Sequence, residues 1–243
     1  MQPELDIKEL QKNIEILKES NRDLEQFAYV VSHDLNEPLR TVKSFCEILS
    51  RRYSSQLDDS GKEFMGYIVD GCDRMQNLIN DLLQYSRACS KEMVFEELET
   101  ESLINNSLKN LDTLINEKNA QIIIATDLPK TILGHKTSIE QVFQNLLSNA
   151  IKFCQEKPLV KIHYELNSNN QHQFTVIDNG IGIAEENFER VFMVFQRLHS
   201  KEEYPGSGIG LSLCKKIIQR HQGQIWLESS LGKGSKMTFT LDL

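Results

Sequence analysis

The stretch Asn145-Leu146-Leu147-Ser148-Asn149-Ala150-Ile151-Lys152-Phe153 carries the strongest fold signal, because it combines a polar helical face with an apolar one. Asn145, Asn149 and Lys152 lie four and three residues apart, which places their side chains on one side of a helix. The apolar residues between them fall on the other side and predict contact with a core. Amide oxygens and an ammonium group on one stripe can contact phosphates and a hydrated Mg²⁺ ion, which favours oxygen ligands. Taken alone, the stretch is also compatible with a solvated helix face.

Two glycine motifs lie further along the chain. Asp178-Asn179-Gly180-Ile181-Gly182 follows a predicted strand, and Gly206-Ser207-Gly208-Ile209-Gly210 opens a predicted helix. A carboxylate at a strand end can accept the exocyclic amine of adenine, and glycines permit close backbone approach. Backbone amides at a helix N-terminus bind phosphate well, although the second motif lacks the lysine of a P-loop. The alternative for the first motif is a simple turn that closes a strand.

Upstream, the motif Ser32-His33-Asp34-Leu35-Asn36-Glu37-Pro38 lies in a long helical pattern. The preceding residues follow a heptad, which favours a two-stranded coiled coil over a surface helix packed on its own domain. In this register His33 takes the most solvent-exposed position, and Pro38 loosens or bends the helix just beyond it. The seam positions, with one polar member that can fix register, are Ile7, Leu10, Ile14, Leu17, Asn21, Leu24, Ala28 and Val31.

Taken in chain order, the motifs resemble the H, N, G1 and G2 boxes of two-component sensor histidine kinases, with an F box at Phe192 to Phe195. The resemblance extends from about Leu24 to Leu243. The motif that contains His33 is most similar to the H box of phytochrome-type kinases. It implies ATP-dependent phosphorylation of His33 and phosphoryl transfer to an aspartate of a response-regulator receiver domain. It also implies ATP and Mg²⁺ as cofactors, with Asn149 as the Mg²⁺ ligand.

The same resemblance implies the site residues. His33 would be the phosphoacceptor, and Asp34 would orient its ring and take up its proton. Asp178 would bind adenine, and Arg197 would reach the terminal phosphate from a lid between the two glycine motifs, anchored by Phe188, Phe192 and Phe195. The full set of implied nucleotide-binding residues is Asn145, Asn149, Lys152, Phe153, Asp178, Gly180, Gly182, Arg197, Gly206, Ser207, Gly208 and Gly210.

The hydrophobic pattern predicts two kinds of domain. Two amphipathic helices joined by the polar segment 54–61 predict a helical hairpin, and two hairpins would form a four-helix bundle in a homodimer. After Ser90, mixed strands and helices predict an α+β two-layer sandwich, which the resemblance assigns to the histidine kinase, topoisomerase and chaperone ATPase superfamily. The predicted domains are an N-terminal coiled-coil signalling helix (1–23), a dimerisation and histidine phosphotransfer domain (24–90) and a catalytic ATP-binding domain (91–243). The predicted elements of the last domain are strands at 94–98, 121–125, 131–133, 159–166, 173–177, 224–229 and 236–243 and helices at 102–116, 137–153 and 209–221.

Composition limits the classes of partner. The net charge of -8 argues against general nucleic-acid binding. No apolar run reaches the roughly 18 residues of a membrane span, and the charged first 25 residues argue against a secretory signal. Five scattered cysteines indicate reduced thiols in a cytoplasmic protein, with Cys72 and Cys154 as small buried hydrophobes. We expect a sensor domain on a longer parent chain or on a partner.

Three features leave alternatives open. Glu37 stands where many members of the family carry Thr or Asn, which argues against phosphatase activity towards the regulator, although Asn36 is adjacent. His135 replaces a common Asp, and we assign it no catalytic role. A related ATPase would use a catalytic glutamate in the nucleotide-site helix, for which Glu140 is the candidate. The related ATPase is the first alternative to a histidine kinase, and a non-enzymatic dimer scaffold is the second.

Overall fold

The heptad-patterned N-terminal region forms two long helices in the computed structural model, which describes residues 2–90, 93–199, 203–204 and 206–242. Helix α1 spans Gln2–Arg52 and continues through Pro38, and α2 spans Asp59–Ser90. The two helices pack as a hairpin within the unit Met1–Lys91. None of the described helices is both long and apolar enough to cross a membrane.

The turn of the hairpin ends earlier than the sequence predicts. Asp58 accepts a hydrogen bond from the Gly61 N–H through its Oδ1 at 2.7 Å, which is the geometry of a helix N-cap. Helix α2 therefore begins at Asp59, and the predicted turn residues Ser60 and Gly61 belong to its first turn.

Contacts between the two helices include one ion pair and two buried thiols. Lys43 on α1 donates to Asp73 on α2 at 2.5 Å, and this hydrogen bond raises the pKa of Lys43. Cys46 and Cys72 are buried, one on each helix. Of the predicted coiled-coil seam, Leu17 is exposed and Ala28 and Val31 are half-buried. The side chains at the other seam positions lie outside the described residues: Ile7, Leu10, Ile14, Asn21 and Leu24.

The second unit, Glu92–Leu243, contains two sheets. The larger has the strand order β2-β4-β5-β7-β6, with β2 parallel to β4 and every other neighbouring pair antiparallel. The smaller pairs β1 with β3. The strands are β1 (Glu96–Glu99), β2 (Gln121–Ile124), β3 (Thr131–Gly134), β4 (Leu159–Leu166), β5 (His172–Ile177), β6 (Ile225–Ser229) and β7 (Ser235–Leu241).

Helices pack against the larger sheet and form the second layer. The rings of Phe143, Phe174 and Phe239 meet in the core at centroid distances of 5.4 to 5.6 Å. Such aromatic contacts join helix and sheet through large buried areas. The helices are α3 (Thr100–Lys109), α4 (Asp112–Lys118), α5 (Lys136–Lys152) and α6 (Gly210–Arg220). The predicted hairpin followed by an α+β sandwich is therefore confirmed.

The prediction of one helix over 102–116 is wrong. The chain leaves the helix at Asn110, and Leu111 adopts φ -109° and ψ 6° before α4 begins at Asp112. Asn and Asp favour helix ends because their side chains compete for backbone hydrogen bonds. The continuous apolar periodicity hid this break.

Gly223 follows the end of α6, where a glycine in the left-handed conformation is common. The left-handed residue is Gln222, with φ 58°. A Cβ on Gly223 would lie 1.8 Å from the Thr240 carbonyl oxygen. Gly223 is therefore required because the chain after α6 passes directly against β7.

Candidate active site

Asp178 lies just beyond β5 and is held by two backbone donors. Its Oδ1 accepts hydrogen bonds from the Gly180 N–H at 2.8 Å and the Ser235 N–H at 3.1 Å. Burial raises the pKa of the Asp178 carboxyl, and these two hydrogen bonds oppose the rise. Among the described residues no hydrogen bond reaches Oδ2, so this oxygen is available to an external donor.

The first glycine motif is pressed against the end of α5. The Ile181 N–H donates to the Phe153 carbonyl at 2.9 Å, and a Cβ on Gly180 would lie 2.5 Å from the same oxygen. Gly182 has φ 70°, and a Cβ there would lie 2.0 Å from the Ser230 carbonyl oxygen. Both glycines are therefore needed for close backbone approach.

Asn179 braces this turn, a role that sequence analysis did not assign. Its Oδ1 accepts from the Leu159 N–H at 2.8 Å and from the Cys154 thiol at 3.3 Å. Its Nδ2 donates to the Lys157 carbonyl at 3.1 Å. One side chain thus fixes the loop after α5 to the turn that carries Asp178.

Gly234 was also missed as a site residue. It has φ 81°, and a Cβ there would lie 2.0 Å from the Asp178 carbonyl oxygen. Ser229 donates to the Gly234 carbonyl at 2.7 Å and accepts from the Ile183 N–H at 2.8 Å. The sequence shows Gly234 only as a turn glycine, because its partner lies far away along the chain.

The polar stripe of α5 meets the second glycine motif. Asn145 donates from Nδ2 to the Gly210 carbonyl at 3.3 Å, which joins α5 to the start of α6. Asn149 and Lys152 are half-buried on the following turns of α5. The Asn149 side chain makes no hydrogen bond among the described residues. The structure thus brings two of the predicted motifs together.

The second glycine motif is shaped by backbone contacts. Gly208 has φ 77°, and a Cβ there would lie 2.8 Å from the Gln196 carbonyl oxygen. Ser207 accepts from the Ile209 N–H through Oγ at 3.3 Å. Gly206 is exposed, and a Cβ on it would meet nothing within 4 Å.

Arg197 holds the backbone that leads into this motif. Its guanidinium donates to the Gly206 carbonyl and to the Tyr204 carbonyl, each at 2.6 Å. The predicted lid contains two short 3-10 helices, Glu185–Asn187 and Arg190–Phe192. Within the predicted lid, residues 200–202 and Pro205 lie outside the described residues.

Aromatic rings surround the end of α5. The Phe153 ring lies 4.9 Å from that of Tyr204 and 6.1 Å from that of His199, measured between centroids. Neither Tyr204 nor His199 was predicted as a site residue, since no motif includes them. Phe195 in the predicted F box has φ 64° and is exposed.

His33 lies on α1 in the first unit with 69% of its side chain exposed. Its Nδ1 is 3.4 Å from Oδ1 of Asp34, which is equally open to solvent. Ser32 beside it is buried. The imidazole is thus presented to solvent with one nitrogen facing a carboxylate.

Glu140, the candidate base of a water-activating ATPase, makes hydrogen bonds to a neighbouring helix. Its Oε1 accepts from Nδ2 of Asn106 at 3.2 Å, and its carbonyl accepts from the Ser107 hydroxyl at 3.3 Å. Both partners belong to α3. This geometry gives Glu140 a role in joining two helices.

Comparison with known proteins agrees with both halves of the chain. Residues 23–90 match the His Kinase A (phospho-acceptor) domain. Residues 134–243 match the histidine kinase-, DNA gyrase B- and HSP90-like ATPase family. An exposed histidine on a helical hairpin followed by this ATPase fold defines a class of phosphotransfer protein. The chain belongs to the histidine kinases.

The similar proteins include cyanobacterial phytochromes, as the H box predicts. The chain is 42% identical to phytochrome-like protein Cph1 of Synechocystis sp., over 93% of this chain and 30% of that protein. It is 43% identical to cyanobacterial phytochrome A of Nostoc sp., over 93% of this chain and 29% of that protein. The chain thus spans about a third of the length of these relatives.

A solved structure of a similar protein supports the fold of the second unit. The catalytic domain of histidine kinase ThkA, in a nucleotide-free form, is 30% identical and has a TM-score of 0.54. The match covers 62% of this chain and 96% of that one.

Proposed function

We propose that this chain phosphorylates His33 with ATP and then passes the phosphoryl group to an aspartate of a response-regulator receiver domain. The observation that carries the proposal is the convergence of separate motifs on the C-terminal half of α5. Asn145 bonds to Gly210, and Phe153 bonds to the turn that carries Asp178. The exposed His33 supplies a nucleophile on the same chain.

Adenine recognition is assigned to Asp178. Two backbone N–H groups fix Oδ1 and leave Oδ2 for the exocyclic amine of the base. A fixed acceptor costs little reorganisation on binding, which favours affinity. The half-buried rings of Phe153 and Tyr204 offer apolar surface beside the turn that carries Asp178.

Phosphate binding is assigned to α5 and to the second glycine motif. Asn145 and Lys152 supply polar and cationic groups, and the backbone around Gly208 and Gly210 supplies amides at the start of α6. Arg197 would add a second cation once nucleotide competes with the carbonyls that it holds.

The Asn149 amide fits a magnesium site of few protein ligands. It is half-buried and has no hydrogen-bond partner among the described residues. Among the described residues, no three His, Cys, Asp or Glu side chains form a cluster that could hold a metal ion. Phosphate oxygens and water would therefore complete the coordination of Mg²⁺. When bound, Mg²⁺ would offset the negative charge of the transferring phosphates.

The histidine step follows from the position of Asp34. Nδ1 faces the carboxylate and carries the proton, which leaves the lone pair on Nε2 for attack on the γ-phosphorus. The N–P bond forms as the bond from the γ-phosphorus to the bridging oxygen breaks, and ADP leaves with that oxygen. The Nδ1 proton then passes to Asp34 or to water, so the phosphohistidine is neutral at the ring.

A homodimer is proposed from the apolar surface of the hairpin. Both helices expose large apolar side chains at helical spacing, which a monomer in water would not stabilise. A second hairpin would bury them in a four-helix bundle. The exposed residues in heptad-like order are Leu35, Val42, Phe45 and Leu49 on α1 and Phe64, Ile68, Met75 and Leu82 on α2.

The wider organisation is also a proposal. We assign residues 1–23 to signal input, 24–90 to dimerisation and phosphotransfer, and 91–243 to catalysis. The matches begin at residue 23 for the first domain and at residue 134 for the ATPase, which supports this order. An upstream sensor would control the kinase, and we place the chain in the cytoplasm because it consumes ATP. Glu37 near His33 argues against phosphatase activity, since a carboxylate repels a phosphorylated regulator.

Incubation with γ-labelled ATP tests the proposed reaction against its rivals. A histidine kinase retains label on the protein in a form that alkali preserves and acid removes. An ATPase of the related type would release free phosphate and leave the protein unlabelled. A non-enzymatic scaffold would do neither, and either of these last results would overturn the proposal.

A further inference from the structure

His221, at the end of α6, is a buried imidazole that the proposed reaction does not use. Nδ1 lies 2.8 Å from the Ile217 carbonyl, and Nε2 lies 3.0 Å from the His135 backbone nitrogen. A carbonyl can only accept and a backbone N–H can only donate. Nδ1 must therefore carry the hydrogen, and Nε2 must be the acceptor. Both ring nitrogens are satisfied by the neutral ring in one tautomer.

This imidazole links the two helices that line the proposed nucleotide site. His135 is the N-cap residue of α5, and His221 is the C-cap residue of α6. At the other end of α6, Asn145 of α5 bonds to Gly210 at 3.3 Å. The two helices are thus joined at two points separated by the length of α6. The hydrogen bond at the histidine end therefore helps to hold α5 in place against the helix that begins at the second glycine motif.

The surroundings disfavour a proton on Nε2. His221 is 3% exposed, and its ring packs against the Phe95 ring at 4.9 Å between centroids. A Cβ on Gly134 would lie 3.5 Å from the imidazole, so the ring has little room to turn. The charged or titratable groups that act on it are His135 at the start of α5 and Arg220 beside it, and both disfavour a positive ring. The positive end of the α5 dipole adds to this effect. The negative end of α6 and the hydrogen bond to the Ile217 carbonyl act in the opposite direction, but burial is the larger effect and the pKa of His221 is lowered.

We propose that His221 is a positioning residue that fixes α5 against α6 and so maintains nucleotide affinity, and that protonation of its imidazole releases this link. The inference rests on the proposed nucleotide site. An imidazolium has no acceptor, so the His135 N–H would lose its partner inside the protein.

The direction of the pH effect follows from burial. Desolvation lowers the pKa of His221 below its ordinary value, so the ring is neutral in the intact site at neutral pH. In an opened state, in which the hydrogen bond between His221 and His135 is broken, the imidazole has its ordinary pKa. As the pH falls below about 6.5, this opened state therefore binds a proton before the state with the hydrogen bond intact does. The link is therefore complete above this pH and weakens progressively below it.

The test compares affinities for ADP with Mg²⁺ by calorimetry at pH 7.5 and pH 5.5 on the full chain. Phosphate groups titrate in the same range, so the ratio between variants is the useful quantity. In His221→Gln an amide oxygen can accept from the His135 N–H without titrating. His172→Gln is the matched control, because His172 is also buried with a lowered pKa but bonds to the Tyr164 hydroxyl on the β4–β5 hairpin.

We expect the wild-type affinity, relative to His221→Gln, to fall by at least about threefold between the two pH values. The His172→Gln chain should follow the wild type. If ADP affinity depended on pH in the same way in the wild type and in His221→Gln, the inference would be overturned but the nucleotide site would stand. Absence of ADP binding by the wild type at pH 7.5 would overturn the nucleotide site and the inference with it.

A second measurement does not depend on the folding of any variant. A long-range ¹H–¹⁵N spectrum of the wild-type chain should show His221 with its hydrogen on Nδ1 at pH 7.5. Acidification should shift this signal together with the His135 amide. A hydrogen on Nε2 at pH 7.5, or titration of His221 without a change at His135, would contradict the link.

Discussion

Two backbone N–H groups hold the Asp178 side chain in one orientation. The backbone N–H groups of Gly180 and Ser235 occupy Oδ1 and orient the carboxylate, while Oδ2 stays open to a donor. The sequence predicted the carboxylate through its motif. It did not predict Ser235 or Gly234, because strand pairing brings them to Asp178 from more than fifty residues away.

Replacement of Asp178 by Asn should weaken ATP binding by at least about tenfold, because a hydrogen bond to a charged acceptor contributes roughly 1.5–3 kcal/mol. Calorimetric titration with ATP and Mg²⁺ measures the effect. Glu117→Gln, an exposed change on α4 that also removes one negative charge, serves as the control. Equal ATP affinity in the Asp178→Asn chain and its control would remove Asp178 from the adenine site.

At the scale of elements, periodicity predicted most helices and strands because burial imposes it. The predicted helix over 137–153 corresponds to α5 at Lys136–Lys152, and its apolar residues are buried as expected. The break at Asn110 and Leu111 was missed because the apolar spacing continues across it. The contacts of Asn179 and His221 were missed for another reason: all but one of their hydrogen-bond partners are backbone groups, which leave no side-chain pattern in the sequence.

The turn at Gly182 offers a prediction about close approach. Gly182→Ala should lower the free energy of unfolding by more than about 1 kcal/mol, because strain at φ 70° adds to a clash with the Ser230 carbonyl. Gly232→Ala is the matched control, since Gly232 has φ 73° but nothing within 4 Å of an added Cβ. Urea unfolding followed by the fluorescence of the single tryptophan, Trp226, measures both. Equal losses in the two variants would show that the Ser230 contact adds nothing.

At the scale of the molecule, the two units differ in how their apolar residues are covered. The second unit buries its aromatic residues between sheet and helices, whereas the hairpin exposes large apolar side chains along both helices. The sequence analysis predicted that the apolar stripes of the hairpin are covered only by a second hairpin in a four-helix bundle, and exposed apolar side chains on an isolated hairpin are consistent with that prediction. Four cysteines, Cys46, Cys72, Cys154 and Cys214, are buried as free thiols, which agrees with small hydrophobic roles; the side chain of Cys89 lies outside the described residues.

The exposed hairpin face predicts the effect of an added charge. Phe45→Asp should convert a dimer of 28.0 kDa chains to monomers, because two buried carboxylates would face each other without partners. Light scattering coupled to gel filtration measures the mass. Leu166→Asp places the same charge on an exposed apolar position of the second unit and should leave the dimer intact. A Phe45→Asp chain that remains dimeric would place the interface elsewhere.

The identity of the phosphorylated residue is the most direct test of the central claim. After incubation with γ-labelled ATP, the wild-type chain should carry label that acid removes and alkali preserves. His33→Gln should abolish this label while ATP binding persists, because only the nucleophile on α1 is lost. His163→Gln, which removes another exposed histidine on β4, should label normally. Substantial labelling of His33→Gln would contradict the assignment of His33 as the phosphoacceptor.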